Sequence, residues 1–449
     1  MFNPFRFLWR VNHRFKKWDA DHIWKYQEKQ IERLVKSATK KSKFYSSFYN
    51  GYDITNFSKL PFMNKQLFME NFSELNTKGL TKEECIEHCL EKESSRDFSE
   101  YYKGYLVGMS TGTSGNRGIE FATKMEALLM QLLVFYRFPF PKVRKIHLAF
   151  ILRVFSPGFS HNGAKIRISY VNPLDTFEAI VNKLNSLNPN IISGPPSVLH
   201  VLTKEKQKGT LKFDPIMLVS YGEILTPNIK EVIESSFKCS VLEVYKSSES
   251  FIALPCSQGN LHINEDTTFV EVLNNKGEPV KPGEPGYVVV TDFIKYGTPI
   301  IRYRLNDLIT ISQEACPCGS SFRAIQEIHG RADDVVIGAK KTEEGFQFIL
   351  PDFIRRSIVS SSDYIEEYNA IQTSPTNLSI KLQLKSELEK SSKKETFVKD
   401  IEKSIQENIS NIFSKHDSKI PDLEFIYTII AHDFDAKLRR IRRTFKEDF

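Results

Sequence analysis

Cysteine is scarce in this chain, with six residues among 449. So few thiols cannot build the dense disulfide framework of small secreted domains, and a reducing cytoplasm is the expected compartment. Long apolar runs are also missing, so the sequence predicts no transmembrane segment. The beginning is basic and aromatic from Trp9 to Trp18, so we expect no signal peptide but an amphipathic helix packed on the domain.

A strong excess of either charge sign is absent as well. The 62 Lys and Arg residues and the 55 Asp and Glu residues leave a net charge of +7. This mild excess suits the binding of anions such as nucleotides, and it does not by itself indicate a nucleic-acid partner. We therefore predict no nucleic-acid partner, and we leave open whether the chain forms a homodimer.

Two familiar phosphate-binding patterns are missing, namely the Gly-Lys-Ser/Thr ending of a Walker loop and a GxGxxG segment after a strand. A different segment rich in glycine and hydroxyl groups is present: Ser110-Thr111-Gly112-Thr113-Ser114-Gly115-Asn116-Arg117-Gly118. Glycine lets the backbone approach a ligand closely, and free N–H groups with short hydroxyls can surround phosphate oxygens. The alternative is a surface loop without a ligand, and the other motifs decide between the two.

Short apolar strands alternate with helices between residues 176 and 245. The predicted strands are Ile191–Ser193, Ile216–Tyr221 and Ser240–Tyr245. The predicted helices are Phe177–Leu187, Pro195–Glu205 and a third with Thr226 as N-cap and Pro227 in its first turn, ending near Phe237. This alternation requires crossover connections and predicts a mostly parallel sheet.

The character changes after Glu249, where short strands are divided by turn residues. We expect an antiparallel sheet or a small barrel from Phe269–Leu273, Tyr287–Phe293, Ile300–Arg304 and Leu308–Ile311. From residue 331 the pattern predicts strands over Glu366–Gln372, Ser379–Leu384 and Phe425–Ile430, a helix over Lys393–Phe413 and a mobile loop over 386–396. The predicted class is α/β, with a domain over 1–330, its β-rich section over about 250–330, and a small α+β domain over 331–449.

Polar and aromatic residues follow the predicted strands at their carboxyl ends, where open α/β sheets bind ligands. Ser220-Tyr221-Gly222-Glu223 follows one strand, and Tyr245-Lys246-Ser247-Ser248-Glu249 follows the next. An aromatic ring there can lie against adenine, and Glu249 can hold a magnesium ion near the phosphates. Farther along, Asp307 can accept hydrogen bonds from both ribose hydroxyls.

The order of these motifs resembles the adenylate-forming superfamily of acyl-CoA synthetases and adenylation domains. Within it, the chain is most similar to the phenylacetate–CoA ligase branch, which includes deazaflavin-coenzyme adenylating and capsule-biosynthesis homologues. The resemblance implies a large ATP-binding amino-terminal domain and a small mobile carboxyl-terminal domain. It also implies that a carboxylic acid attacks the α-phosphate of ATP to give an acyl-adenylate and pyrophosphate. An aromatic acid is a candidate substrate. A thiol, often that of CoA, then takes the acyl group.

The resemblance also implies roles for individual residues. Nucleotide binding is implied for Ser110, Thr111, Gly112, Thr113, Ser114, Gly115, Ser220, Gly222, Glu223, Tyr245, Ser247, Asp307 and Arg331. Catalytic roles are implied for Thr113, Glu249 and Lys437. An ammonium group at Lys437 would offset the repulsion between carboxylate and triphosphate where charge moves in the transition state. The alternative for Lys437 is a solvated basic tail.

Several positions depart from the family pattern. Lys246 stands where the Tyr-Gly motif has glycine, Asn306 replaces the glycine before Asp307, and Ala436 replaces the glycine before Lys437. These departures leave open the alternative that the chain is a homologue that binds nucleotide without catalysis. A further alternative passes the acyl group to a carrier protein, an amine or a hydroxyl.

A separate set of residues has the composition of a metal site. Cys256, His262, Cys316 and Cys318 offer three thiolates and one imidazole, which complete a closed tetrahedral zinc set with a structural role. The alternative is free buried cysteines beside a surface histidine. We interpret Cys85, His88 and Cys89 as packing residues, because one helix face supplies too few ligands.

Overall fold

The computed structural model describes residues 4–95, 101–109, 118–152, 165–173, 175–331, 334–342, 346–349, 351–389, 394–430 and 440–445. The chain forms two units. One unit contains Met1–Leu305 and Ile309–Ile328, and the other contains Asn306–Leu308 and His329–Phe449. Among the described residues, no helix is long and apolar enough to cross a bilayer.

Helices dominate the first part of the first unit. They are α1 (Pro4–Lys17), α2 (Ala20–Lys41), α3 (Lys43–Phe48), α4 (Lys65–Glu70), α5 (Phe72–Leu75) and α6 (Lys82–Ser95). Val11 of α1 is fully buried in a core cluster of this unit, so the first helix packs on the domain as predicted. Cys85 of α6 lies in the largest core cluster, which confirms its interpretation as a packing residue.

A β-hairpin and a helix follow the first helical part. Strands β1 (Tyr105–Met109) and β2 (Ile119–Thr123) pair antiparallel. Helix α7 (Lys124–Arg137) begins at once, because Thr123 and Glu126 form a capping box in which each side chain accepts from the other's backbone N–H.

Seven described strands form the central sheet, in the order β4-β3-β5-β6-β7-β8-β9. They are β3 (Ile146–Ile151), β4 (Ile166–Val171), β5 (Ile191–Gly194), β6 (Met217–Tyr221), β7 (Val241–Lys246), β8 (Phe251–Pro255) and β9 (Leu261–Ile263). The pairings from β4 to β7 are parallel, as the alternation predicts, and those from β7 to β9 are antiparallel.

Helices α8 (Phe177–Leu187), α9 (Pro196–Gln207) and α10 (Pro227–Phe237) cover one face of the parallel part of this sheet. Residues of α1 and α7 pack against the opposite face. Thr226 is the N-cap of α10 as predicted, but its side chain makes no capping hydrogen bond. Parallel strands with helices on both faces are the arrangement that opens a ligand site at their carboxyl ends.

The β-rich section of the chain forms a second sheet, in the order β10-β11-β12-β13. Its strands are β10 (Thr268–Leu273), β11 (Pro285–Asp292), β12 (Tyr303–Ile311) and β13 (Ile325–Arg331). The prediction of separate strands at Ile300–Arg304 and Leu308–Ile311 was wrong, because one continuous strand runs from Tyr303. Of the two expected arrangements, the strands form a sheet, in which β10 and β11 pair antiparallel, and its apolar side packs against the first helices through Tyr45, Phe72 and Tyr303.

The second unit is an α+β arrangement. Its strands are β14 (Val336–Ala339), β15 (Phe346–Ile349), β16 (Ile365–Ser374), β17 (Asn377–Leu384), β18 (Asp422–Tyr427) and β19 (Ile441–Arg443), and its helices are α11 (Pro351–Val359), α12 (Ser386–Glu389) and α13 (Lys394–Lys415). Strand β18 begins and ends three residues earlier than the strand predicted over Phe425–Ile430. The loop expected over 386–396 begins with the short helix α12. The overall α/β class is confirmed.

Candidate functional site

The hairpin of β1 and β2 holds both ends of the predicted phosphate-binding segment. Met109 pairs with Ile119, so the described residues on the two sides of this segment are neighbours. Residues 110–117, which include Ser110 to Gly115 and with them Thr113, lie outside the described residues. Their roles therefore remain predictions, while the position of the hairpin that carries them is known.

The carboxyl end of β6 presents a buried hydroxyl. Ser220 is fully buried, and its Oγ has no hydrogen-bond partner in the described part of the chain. The next residue, Tyr221, donates its hydroxyl to the carbonyl oxygen of Ile151 and stacks on Phe150 with ring centroids 5.3 Å apart. Of these two neighbours, Ser220 has hydrogen-bonding capacity that the described protein leaves unused.

The chain turns away from β6 at Gly222, whose φ of +79° lies in the left-handed region that favours glycine. Glu223 follows, and its carboxylate accepts from the backbone N–H of Ser197 at 3.1 Å and from the Ser197 hydroxyl at 3.0 Å. Because Ser197 lies in the first turn of α9, this carboxylate satisfies an otherwise unpaired helix N–H. Glu223 therefore anchors the turn to the helix.

The segment after β7 forms a tight turn. The Ser247 hydroxyl accepts from the backbone N–H groups of Glu249 at 3.2 Å and Ser250 at 3.1 Å. Glu249 then accepts a hydrogen bond from the Tyr303 hydroxyl at 2.9 Å. Burial, together with the nearby Glu249 carboxylate, raises the pKa of Tyr303, so its hydroxyl stays protonated and donates. Tyr245, which precedes this turn, is itself buried.

Lys246, at the last position of β7, contacts the hairpin. Its ammonium group lies 2.9 Å from Glu120 of β2. Burial opposes ionisation of Glu120, but the ammonium groups of Lys246 and Lys295 outweigh it and lower the pKa of the carboxyl. Lys295 is buried and donates to the backbone carbonyl of Ser248 at 2.7 Å. No local pattern indicates the partner of Lys246, because Glu120 lies 126 residues away.

A second carboxyl group on β7 is desolvated. Glu243 is the register partner of Ser220 on β6, and burial raises its pKa to about 7, against the opposing charge of Lys230. Sequence analysis missed this group and also the role of Tyr303, although Tyr303 stands in the Tyr-Arg-Leu-Asn-Asp motif. Burial of one residue against a distant one has no signature in a local pattern.

The remaining predicted nucleotide residues follow the second sheet. Asp307 lies in β12 and Arg331 ends β13, and both are half-buried. These strands are neighbours in the sheet, so the two residues belong to adjacent segments. Lys437 lies outside the described residues, and its role remains a prediction.

The structure brings together the four residues predicted as metal ligands. The donor atoms of Cys256, His262, Cys316 and Cys318 all lie within 4.8 Å of one another. The sulfurs of Cys256 and Cys316 are 3.8 Å apart, and the Cys318 sulfur lies 3.4 Å from His262 Nε2. A tetrahedral zinc with Zn–S bonds of about 2.3 Å has S–S edges of about 3.8 Å, so the spacing fits this ion.

Surrounding groups orient these four ligands, here called the cysteine–histidine cluster. His262 Nδ1 lies 2.7 Å from the carbonyl oxygen of Phe322, and donation there leaves Nε2 as the acceptor that faces the sulfurs. Burial raises the pKa of the Cys316 thiol, but hydrogen bonds from the Cys318 backbone, the Asn260 amide and His262 outweigh it and bring the value to about 6. Burial and the neighbouring Cys316 and Cys256 sulfurs raise the pKa of the Cys318 thiol, so within the cluster Cys316 ionises before Cys318.

Comparison with known proteins agrees with this arrangement. No family model matches the chain. A phenylacetate–coenzyme A ligase of Thermus thermophilus is 29% identical over 205 residues, which cover 43% of this chain and 46% of that ligase. Protein CapK of Staphylococcus aureus is 23% identical over 407 residues, 82% of this chain and 83% of CapK. The chain thus matches about half the length of the first of these relatives.

A solved structure extends the likeness over nearly the whole fold. The 2-hydroxyisobutyryl-CoA ligase in complex with 2-HIB-AMP has a TM-score of 0.71 and 17% identity, covering 96% of this chain and 91% of that one. The fold is therefore that of the adenylate-forming enzymes. Within that class, the similarity to phenylacetate–CoA ligase and to CapK supports the phenylacetate–CoA ligase-like branch, and the resemblance inferred from the motifs is confirmed.

Proposed function

We propose that the chain is an ATP-dependent acid–thiol ligase that forms an acyl-adenylate. The observation that carries this proposal is the 2.9 Å contact between Lys246 and Glu120. Through it, the hairpin that bears the glycine-rich segment stands beside the carboxyl ends of β6 and β7, the edge at which parallel sheets bind ligands. The similarity to phenylacetate–CoA ligases supports the same chemistry here.

In the first proposed step, a carboxylate oxygen of the acid attacks the α-phosphorus of ATP. The new O–P bond forms while the bond from the α-phosphorus to the bridging oxygen breaks, and pyrophosphate leaves with that electron pair. Lys437 stabilises the charge that moves onto the leaving group. The carboxylate of Glu249 has one described hydrogen-bond partner, the hydroxyl of Tyr303. This carboxylate would hold a magnesium ion that neutralises phosphate charge.

The nucleotide would lie across the edge formed by β6 and β7. In this proposal the backbone of residues 110–115 and the Thr113 hydroxyl surround the phosphates, and Asp307 accepts from the ribose hydroxyls. The Ser220 hydroxyl is buried and has no partner among the described residues, which supports a ligand group at the end of β6. The remaining nucleotide contacts are assigned to Gly222, Glu223, Tyr245, Ser247 and Arg331.

In the second proposed step, the thiol sulfur of CoA attacks the acyl carbon of the adenylate. A C–S bond forms, the C–O bond to AMP breaks, AMP leaves with its electron pair, and the thiol proton passes to solvent. The names of the similar ligases support CoA as acceptor. A carrier-protein thiol, an amine or a hydroxyl would attack the same carbon, so the acceptor is decided by the experiment below.

We also infer that the cysteine–histidine cluster holds a structural zinc ion. Three thiolates and one imidazole complete a tetrahedral set, which leaves no open position for a reacting water. All six cysteines are free in the structure, which supports a reducing compartment such as the cytoplasm.

Pyrophosphate exchange tests the proposed reaction directly. The protein is incubated with ATP, magnesium, labelled pyrophosphate and a panel of carboxylic acids, and label should enter ATP only when a suitable acid is present. Addition of CoA should then yield a thioester and AMP. Adenylate without thioester would assign another acceptor. ATP binding by calorimetry without exchange for any acid would instead identify a non-catalytic nucleotide-binding homologue.

A further inference from the structure

The ion pair of Lys246 and Glu120 lies beside the proposed reaction site. Lys246 immediately precedes the turn that carries Glu249, and Glu120 lies on the hairpin strand that follows the glycine-rich segment. The related motif has glycine where this chain has Lys246. A position that needs no side chain in the motif thus carries an ammonium group with a carboxylate partner.

The pair is neither fully solvated nor sealed. The side chain of Lys246 is 28% exposed and that of Glu120 is 27% exposed. A buried pair must be saturated with hydrogen bonds to repay its desolvation, and a surface pair contributes little. An intermediate position with one direct contact at 2.9 Å is therefore a place where further polar partners can bind favourably.

Hydrogen-bonding capacity remains on both members of the pair. An ammonium group has three donors, and the described residues engage one of those of Lys246. The carboxylate of Glu120 has a second oxygen that receives no described hydrogen bond. The neighbouring Lys295 donates to the carbonyl of Ser248 and acts on Glu120 through its charge, and no described hydrogen bond joins these two side chains.

Space adjoins the pair on the hairpin. Gly108 of β1 lies directly opposite Glu120 in the register, so at this position β1 places no side chain beside Glu120. A Cβ atom at Gly108 would lie 4.0 Å from the Cβ atom of Glu120. The missing side chain therefore leaves room beside the carboxylate for a small group.

Resting on the ligase function proposed above, we propose that Lys246 and Glu120 determine specificity by recognising a hydrogen-bonding substituent on the acid. The substrate class is then a hydroxy- or amino-substituted carboxylic acid rather than an unsubstituted alkyl or aryl acid. An unsubstituted acid would cover the pair without satisfying it, and burial of unpaired polar groups is the strongest basis for rejecting an analogue.

Matched acids test this specificity in the pyrophosphate-exchange assay. One series contains isobutyrate, 2-hydroxyisobutyrate and 2-aminoisobutyrate, and the other contains phenylacetate with its 4-hydroxy and 4-amino derivatives. The wild-type protein should use a substituted acid with kcat/KM at least about tenfold above its unsubstituted parent in at least one series. The K246M/E120Q variant, which keeps side-chain volume and removes both charges, should bring that ratio below about threefold, with the KM for ATP changed less than about twofold.

Two further variants sharpen the result. Lys208 forms an exposed pair with Glu205 at 2.8 Å, and Lys208→Met should leave the substrate ratio unchanged. The K246E/E120K variant restores a reversed pair, so it should discriminate between substituted and unsubstituted acids even where K246M/E120Q does not fold.

Equal use of all acids by the wild-type protein would overturn this inference and leave the proposed function intact. An equal loss for every acid with a raised KM for ATP would overturn it too, and would make the pair a positioning contact for the hairpin. If none of the acids supported pyrophosphate exchange, the proposed function would be overturned as well.

Discussion

The cysteine–histidine cluster and the ends of β6 and β7 differ in how their polar groups are used. In the cluster, four donor atoms face one another within 4.8 Å, and a backbone carbonyl orients the imidazole. At the strand ends, the carboxylate of Glu223 accepts a hydrogen bond from Ser197, and that of Glu249 accepts one from Tyr303. In the cysteine–histidine cluster the donor atoms converge on one point. At the ends of β6 and β7 the polar side chains use much of their hydrogen-bonding capacity to stabilise their own turns.

This difference agrees with the ligands that we propose for the two regions. A structural metal site is closed, and its four ligands have to be gathered before the ion can stabilise the fold. A nucleotide site has to remain open until its ligand arrives, so protein hydrogen bonds first define the turns around it. We therefore expect mutations in the cluster to act on stability, and mutations near the strand ends to act on rate and specificity.

Removal of a metal ligand should have the largest effect. Cys318→Ala leaves three ligands, and we expect a loss of at least about 4 kcal/mol in the free energy of unfolding, with no bound zinc in metal analysis. Cys239→Ser alters a half-buried thiol outside the cluster and should cost less than about 1 kcal/mol. Wild-type protein without zinc, or a Cys318→Ala variant as stable as Cys239→Ser, would remove the basis for the structural metal.

The second-largest effect should come from Lys437. Lys437→Ala is expected to slow adenylate formation by roughly 10²–10³, because the proposed mechanism assigns the positive charge of Lys437 to the leaving group, while calorimetry should show unchanged ATP binding. Arg442 is an exposed cation in the same basic segment, and Arg442→Ala should leave the rate within about threefold. Similar losses in both variants would mean that the segment acts through its total charge.

An intermediate effect is expected from Glu243, and it should depend on pH. Its folded-state pKa of about 7 is raised above the unfolded value, so the stability that it contributes is complete below pH 4.5 and is lost as the pH rises to about 7. Glu243→Gln should therefore be more stable than the wild type at pH 8, by up to about 3 kcal/mol, and should lose most of this advantage near pH 5.

Urea denaturation at both pH values measures that difference. Glu231 is an exposed carboxylate on α10, and Glu231→Gln should follow the wild-type protein at both pH values. An advantage of Glu243→Gln that is independent of pH would show that the carboxyl of Glu243 does not titrate in this range.

The smallest effect should come from Tyr303. Tyr303→Phe removes the hydrogen bond to Glu249, and we expect a loss of about tenfold in kcat/KM for the ATP–magnesium complex. Tyr45 lies in the same core and donates to the carbonyl of Pro299 at 2.9 Å, so Tyr45→Phe is a matched control that should lower stability without a selective loss of rate. Equal rate losses in the two variants would assign Tyr303 to packing alone.

Local patterns in the sequence determined several features by themselves. The helix Phe177–Leu187 was predicted with its observed bounds, because its apolar spacing and the break at Pro189-Asn190 act within one element. The four residues of the cysteine–histidine cluster were predicted as candidate metal ligands because cysteine and histidine carry a narrow range of chemistry, and the structure brings their donor atoms together. The resemblance to the adenylate-forming superfamily followed from separated motifs in a characteristic order.

Tertiary structure alone decided the features that join distant residues. Lys246 meets Glu120 because the hairpin lies beside the end of β7, and Glu243 is desolvated because β6 and the helices next to it cover that face. The continuous strand β12 depends likewise on pairing with its neighbours, which overrides weak local signals. Local propensity acts over a few residues, whereas burial and ion pairing depend on which elements the fold brings together, and a linear pattern does not contain that information.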